Sequence, residues 1–465
     1  MGGAFSNPPQ SLDEILNVTT EQAWEAIRQL PELRPFVFNN DEGTRISLSA
    51  NKEDLARFKK HAVVQFRRPI EEVVQEMRDI FSFIVRPNHP RFMSAIPSPS
   101  SPISWLGEVL TSAFNSWPAA WSRMPASTGG TFVSGGSMAN LSALAIARDQ
   151  KLAENTRSLG VVYFSDQTHF SVPKVLRLLG FSNNQMRQLP ADSNFRLDMV
   201  QLEKTIAVDK SKGFIPFLIV ANAGSTNTGS IDPLNEIADL AKKYNMWMHV
   251  DGAYGASVAL SKSHKSLLAG IERCDSLAWD AHKWLFQTFG CGIVLVHDKS
   301  YLAQSFTSTG DYFRDIPSDD AEPNLFNYGI ELTRPARHMK LWFTLRVLGL
   351  ETLECMIDQG LAVARFAEAE LRKLSNWEIT SPAILGVVTF KYCPDGLEEK
   401  MNDAINDAIS AEIIKSNVAY IQTTRIRGRV SLRICVIHPE ITNNDMQNII
   451  TTLNNLALNI VEKYK

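Results

Sequence analysis

The sequence predicts an α/β protein built around a mostly parallel sheet. Two observations carry that prediction: short, near-continuous apolar runs, as strands covered on both faces require, and helical stretches set between them. In chain order, residues 161–164 (Val-Val-Tyr-Phe), 217–220 (Phe-Leu-Ile-Val), 247–250 (Trp-Met-His-Val) and 292–296 (Gly-Ile-Val-Leu-Val) are the strand candidates. Residues 139–151 and 234–244 read as the intervening helices. In sheets of this kind ligands bind beyond the carboxyl ends of the strands, so the residues that follow each run are the ones to read for chemistry.

The flanks are different. Ser11 with Glu14 forms a capping box at a helix start, and residues 51–85 carry apolar side chains at helical spacing, from Leu55 and Phe58 to Ile80 and Phe81. Pro90, Pro97, Pro99 and Pro102 then interrupt regular structure. After Arg334 a helical region runs through Leu348 and Gln359 to Leu374. Strand candidates follow at 386–392 and 429–436, and a last helix at 443–464. The expected organisation is a helical N-terminal segment (1–100), a large α/β domain (101–345) and a small α+β C-terminal domain (346–465).

Composition narrows the function classes. The 465 residues are 44% hydrophobic and 21% charged with a formal charge of −3, which fits a globular chain and not a nucleic-acid binder with its basic stripe. The five cysteines form no CxxC pair, so neither a zinc site nor a disulfide framework is signalled, and a reducing cytosol is the simplest home. No apolar run approaches bilayer-spanning length and no signal peptide is evident. The first six residues fit a loose myristoylation pattern, but without a basic cluster beside them an ordinary free terminus is expected.

Four motifs carry chemistry. The first is Ser276-Leu277-Ala278-Trp279-Asp280-Ala281-His282-Lys283-Trp284-Leu285. Burial of Lys283 among apolar neighbours would favour the neutral amine that attacks an aldehyde; the plainer alternative is a lysine that ends a strand and snorkels to solvent. The second is Asp251-Gly252-Ala253-Tyr254-Gly255, which follows the third strand candidate. Its carboxylate can keep a pyridine nitrogen protonated, or simply cap a turn. The third is Thr131-Phe132-Val133-Ser134-Gly135-Gly136-Ser137-Met138-Ala139-Asn140-Leu141, a small-residue turn opening a helix whose free amides and dipole suit a phosphate. It matches neither the Walker loop nor the dinucleotide fingerprint. The fourth, Phe164-Ser165-Asp166-Gln167-Thr168-His169, sets an imidazole at a strand end, where it either stacks on a cofactor ring or is a hydrogen-bonded loop histidine. Together they point to pyridoxal 5′-phosphate bound through Lys283.

In their order these motifs resemble the group II amino-acid decarboxylases of fold type I, the family of aromatic-L-amino-acid, histidine and glutamate decarboxylases, and the resemblance runs from about residue 51 to about residue 438. It implies a fold type I sheet of the seven-stranded type, pyridoxal phosphate as cofactor, an amino-acid substrate and a homodimer, while composition and motifs lead to the expectation of no nucleic-acid or membrane partner, no metal and a cytoplasmic setting. By position, Lys283 looks like the covalent lysine, Asp251 like the partner of the pyridine nitrogen, His169 like the stacking histidine and Ala253 like the small residue on the opposite face. Gly135, Gly136 and Ser137 match the phosphate-binding turn. Thr226, in Ala223-Gly224-Ser225-Thr226-Asn227-Thr228-Gly229, matches a threonine near His169. Asp280 falls where relatives often have Asn, and His282 keeps the histidine before the lysine.

An ungapped continuation places Tyr312, in Thr309-Gly310-Asp311-Tyr312-Phe313, on the family's mobile-loop tyrosine. That residue reaches across a dimer interface and protonates the α-carbon after carbon dioxide leaves, a general-acid step worth about 10²–10⁴ in rate. Relatives with Phe there form aldehydes, so Tyr312 points to plain decarboxylation.

Two segments depart from the family. In His89-Pro90-Arg91-Phe92-Met93-Ser94-Ala95-Ile96, Ala95 and Ile96 stand where aromatic decarboxylases tend to have Tyr and Phe. Residues 115–125 form a short bridge where the family has a longer segment that includes a helix. The reaction expected is decarboxylation of an L-amino acid, aromatic favoured, to the amine and carbon dioxide, with Lys283, His169 and Tyr312 as the catalytic residues. The alternatives are an oxidative decarboxylase, another fold type I enzyme such as an aminotransferase or a sulfur-removing lyase, and, given the short bridge, an inactive paralogue.

Overall fold

A computed structural model of the chain describes residues 124–308 and 325–462, with Pro69 and Glu72. The expected N-terminal helices, Ala95 and Ile96, residues 115–123 of the bridge, and Tyr312 lie outside the described residues. Described residues 124–308, 325–337 and 354–462 belong to one compact unit, which holds both sheets and the site below.

The larger unit alternates as expected: β1 (Gly129–Val133), α1 (Gly136–Lys151), β2 (Gly160–Ser165), α2 (Ser171–Leu178), β3 (Met186–Leu189), α3 (Met199–Ser211), β4 (Ile215–Asn222), α4 (Leu234–Tyr244), β5 (Trp247–Asp251), β6 (Ser276–Asp280) and β7 (Gly292–Val296). They form one seven-stranded sheet in the order β1-β7-β6-β5-β4-β2-β3. Strands β3, β2, β4, β5 and β6 are parallel. β7 runs against both β6 and β1. The doubly reversed β1 therefore points the same way as the parallel strands, and one edge collects their carboxyl ends together with the start of β7.

The local reasons are ordinary ones. Every residue of β2, β5, β6 and β7 is buried, as strands covered on both faces must be, and each fully buried Val, Leu or Ile adds roughly 1.5–3 kcal/mol. α3 begins where the Asp198 carboxylate accepts the amides of Val200 and Gln201. α4 ends at Asn245, whose left-handed φ of 54° closes the helix.

Downstream lie α5 (Ser300–Phe306) and the helical run α6 (Arg337–Leu371), which Gly349 interrupts with φ 73° and ψ 166°. β8 (Trp377–Ser381), β9 (Val387–Tyr392), α7 (Glu399–Lys415), β10 (Gln422–Ile426), β11 (Arg429–Cys435) and α8 (Asn443–Val461) follow. The four strands make an antiparallel sheet in the order β10-β11-β9-β8. Val363, Leu371, Ile409, Phe390, Leu432 and Leu453 share its core. Thr442 and Asp445 form a reciprocal capping box at the start of α8. Among the described residues no helix is long and apolar enough to cross a membrane, and no His/Cys/Asp/Glu group is arranged to hold a metal ion.

Candidate active site

At the shared edge the residues that follow β1, β2, β4, β5 and β6 line a cavity of about 390 Å³. β1 leads through Ser134 into α1. No side chain caps that helix, its first turn holds no acidic residue, and the amides of Met138 and Ala139 turn back to the Gly135 carbonyl at 2.9 Å. Gly135, Gly136 and Ser137 border the cavity. A Cβ on Gly136 would lie 2.8 Å from Asp280 Oδ2 and 3.3 Å from Ala253 Cβ, so the turn can pack this closely against Asp280 and Ala253 only because the side chain is absent.

β5 delivers Asp251, 8% exposed. Its Oδ2 accepts a hydrogen bond from Asn140 Nδ2 at 3.0 Å and its Oδ1 accepts the Ala253 amide at 3.2 Å. β2 delivers His169, whose Nδ1 lies 2.8 Å from Ser171 Oγ and accepts the Ser171 amide at 3.3 Å. Burial holds the His169 pKa below the ordinary imidazole value; Asp251 opposes that shift and Lys283 adds to it. Thr226, from the turn after β4, lines the same cavity, as does Ala253.

β6 ends in Asp280, with the loop to Lys283 held by the Lys283 amide on the Asp280 carbonyl at 3.1 Å and by the His282 amide on the Cys291 carbonyl at 3.1 Å. Lys283 Nζ stands 3.3 Å from Asp280 Oδ2, and His282 Nε2 is 3.7 Å from the same oxygen. Burial pushes the Asp280 carboxyl above its ordinary range, against the pull of Lys283 and then His282. Among the described residues, Asp280 Oδ1 is buried without a hydrogen-bond partner. Behind the lysine the Tyr254 and Trp284 rings stack with centroids 4.7 Å apart and planes 9° apart.

Of the two readings of Lys283, burial among apolar residues or a strand end that snorkels to solvent, the structure lies nearer the second: its side chain is 39% exposed, and it is paired with the Asp280 carboxylate. Trp284 and Leu285, its apolar neighbours in sequence, are the buried ones, because they turn away into the core while the amine opens onto the cavity. The nine other candidate site residues, Tyr312 aside, all line that cavity with Lys283. Sequence reasoning gave no role to Asn140, His249 or Ser171. The visible signal was His249, a titratable ring inside an otherwise apolar strand, two residues before Asp251.

A cofactor with an aldehyde, a ring nitrogen and a phosphate fits these residues. An amine opens onto the cavity, a buried carboxylate faces it with one acceptor oxygen anchored on each side, and a glycine-lined helix start lies beside them. Pyridoxal phosphate would be held by Lys283 covalently, by Asp251 at the ring nitrogen and by the turn of Gly135, Gly136 and Ser137 at the phosphate.

Comparison with known proteins gives the same answer independently. Residues 116–393 match the pyridoxal-dependent decarboxylase conserved domain. The chain is 38% identical over 410 residues to the aromatic-L-amino-acid decarboxylase of Bacillus atrophaeus, covering 83% of this chain and 85% of that one. It is 32% identical over 391 residues to the L-2,4-diaminobutyrate decarboxylase of Rhizobium meliloti, covering 79% and 78%. The fold matches the crystal structure of Oryza sativa TDC with PLP and tryptamine at a TM-score of 0.71 and 23% identity, over 98% of this chain and 99% of that one. The chain belongs to the pyridoxal-dependent decarboxylase family, amino-acid carboxy-lyases that work with pyridoxal phosphate.

Proposed function

We propose that this protein removes the α-carboxylate of an aromatic L-amino acid, releasing carbon dioxide and the amine, and that it does so as a cytoplasmic homodimer. The observation that carries the reading is the convergence of Lys283, Asp251 and His169 on one cavity at a single sheet edge. Bound pyridoxal phosphate supplies an electron sink for the pair left on the α-carbon when carbon dioxide departs. The chain's own residues do the rest. Asp251 would hold the ring nitrogen protonated, His169 would cover the ring and meet the substrate carboxylate, and Ala253 would leave room for the ring on the opposite side. Thr226 borders the site beside His169, and Asp280 and His282 flank the lysine. Tyr312, from the partner subunit, returns the proton to the α-carbon.

The aromatic preference is supported by the Bacillus relative, an aromatic-L-amino-acid decarboxylase by name. A second reading, a smaller or charged substrate side chain, is favoured by Ala95 and Ile96 standing where aromatic decarboxylases tend to have Tyr and Phe.

Purified protein given pyridoxal phosphate and a panel of aromatic, acidic and diamino acids tests both readings through carbon dioxide and amine release. Borohydride reduction with peptide mapping is expected to leave the cofactor on Lys283. Aldehyde with ammonia and peroxide would instead mark an oxidative decarboxylase, and a keto acid an aminotransferase. Absence of any cofactor absorbance would mark an inactive paralogue. Tyr312→Phe is expected to turn the product from amine to aldehyde.

A further inference from the structure

We propose that Asn140 is a positioning residue that, backed by His249, locks the Asp251 carboxylate and the His169 ring into one unit, so that the two groups meeting the cofactor ring are set together. The inference rests on the reading that Asp251 and His169 face that ring.

The chemistry of the donors and acceptors fixes every proton in the arrangement. Asn140 sits in the second turn of α1, 1% exposed. Its Nδ2 donates to Asp251 Oδ2 at 3.0 Å and to Ser171 Oγ at 3.1 Å, and its Oδ1 lies 2.9 Å from His249 Nε2. His249 is fully buried, with Nδ1 2.8 Å from Ser276 Oγ, and that hydroxyl also accepts the Trp247 indole N–H at 2.8 Å.

An indole can only donate and an ionised carboxylate can only accept. The Asp251 carboxylate therefore fixes the Asn140 NH₂ on itself and leaves Oδ1 to accept from His249 Nε2, and a neutral His249 then accepts the Ser276 hydroxyl proton at Nδ1. The same NH₂ group turns toward Ser171. Ser171 in turn passes its proton to His169 Nδ1, which already accepts the Ser171 amide.

Two further observations agree with this polarity. Burial drives His249 down to about 4, so the ring stays neutral beside Asp251, whose charge alone would favour the imidazolium. The members stand on α1, α2, β5 and β6, so no one element can shift without breaking a bond to another. Among these residues Asn140 is the single one bonded toward both Asp251 and His169.

The test uses pyridoxal phosphate and full-length protein, with wild type first shown to be labelled at Lys283 by borohydride. A hydrogen bond to a charged group is worth about ten- to a hundredfold in an equilibrium, and Asn140→Leu is expected to weaken cofactor affinity by that factor and to shift the absorption of the bound cofactor. Ser142→Ala, a control at another buried polar position of α1, is expected to leave affinity and spectrum unchanged while altering thermal stability alone. A merely structural Asn140 would behave as Ser142 does.

Should Asn140→Leu fail to fold, Asn140→Asp keeps the shape and places a second carboxylate against Asp251. The pair then shares a proton, and cofactor affinity is expected to vary with pH near neutrality more steeply than in wild type. Unlabelled wild type overturns the cofactor reading and this inference with it. Labelled wild type, with wild-type affinity, spectrum and pH response in both Asn140 variants, overturns this inference alone.

Discussion

Gly292 and Gly135 meet backbone to backbone: a Cβ on Gly292 would come within 2.6 Å of Gly135 Cα and 2.9 Å of Asp280 Oδ1. The contact follows from the reversal of β7, which pairs Gly292 with Val133 on one side and Asp280 on the other. The strand that runs the wrong way thus holds the two halves of the site against each other.

Gly292→Ala is therefore expected to push the turn of Gly135, Gly136 and Ser137 away from Asp280. Cofactor affinity should fall accordingly, while far-ultraviolet circular dichroism stays native. A folded alanine variant with undiminished affinity would mean that the turn does not hold the phosphate.

Asp232 anchors Asn222, which lines the cavity. Its Oδ1 accepts the Leu197 amide at 2.7 Å, and its Oδ2 accepts the Asn222 amide at 2.6 Å and Asn222 Nδ2 at 2.9 Å. Burial raises its pKa from 3.8 to about 6 despite these donors. The folded chain then binds a proton that the unfolded chain has released, so this group's contribution to stability is fullest below about pH 4, falls by about 3 kcal/mol as the pH rises through 6, and is level above it. Asp232→Asn should abolish that slope. It should also lose about 1–3 kcal/mol at every pH, because its NH₂ group meets N–H donors. Denaturant unfolding across pH 4–7 compares the two, and parallel profiles would count against the assignment.

What could be read in the sequence divides along physical lines. Asp251 and Lys283 were legible because they stand just past apolar runs, where an α/β sheet presents its ligand groups. β3, with the sequence Met-Arg-Gln-Leu, was not, because as the sheet's edge it pairs with β2 alone and needs no apolar face. β10 was hidden for the same reason at the edge of the small sheet. The Asn140 to His249 bond was illegible in principle, since it joins residues 109 positions apart and spacing along the chain carries no trace of it.

A buried ion pair beside β2 yields a ranking. Arg187 grips Asp209 through Nε at 2.9 Å and Nη2 at 2.7 Å, and Tyr163 donates its hydroxyl to the same carboxylate at 2.8 Å. Arg187→Met leaves a 3% exposed carboxylate without its cation and should cost about 3–5 kcal/mol. Tyr163→Phe keeps the pair and removes one donor, at about 1–2 kcal/mol. Thermal unfolding of both variants should place the arginine change well below the tyrosine change, and the reverse order would mean that the hydroxyl, not the guanidinium, holds Asp209.

His169 supplies the last expectation, a pH dependence of cofactor binding. Burial lowers its pKa below 6.5, and with Nδ1 accepting from Ser171 the ring is neutral at pH 7. A neutral ring can stack on a protonated pyridine, whereas an imidazolium would set two cations face to face. Because the folded site favours the neutral form, its contribution is present above the ordinary value near 6.5 and is lost as the pH falls through the lowered one. His169→Phe keeps an aromatic face that does not titrate. The cofactor phosphate and Asp280 titrate in both proteins and cancel in the comparison, so the difference between the two profiles isolates the ring. Wild type is expected to lose affinity relative to His169→Phe only on the acid side, and a constant ratio from pH 5 to pH 8 would remove His169 from the cofactor's face.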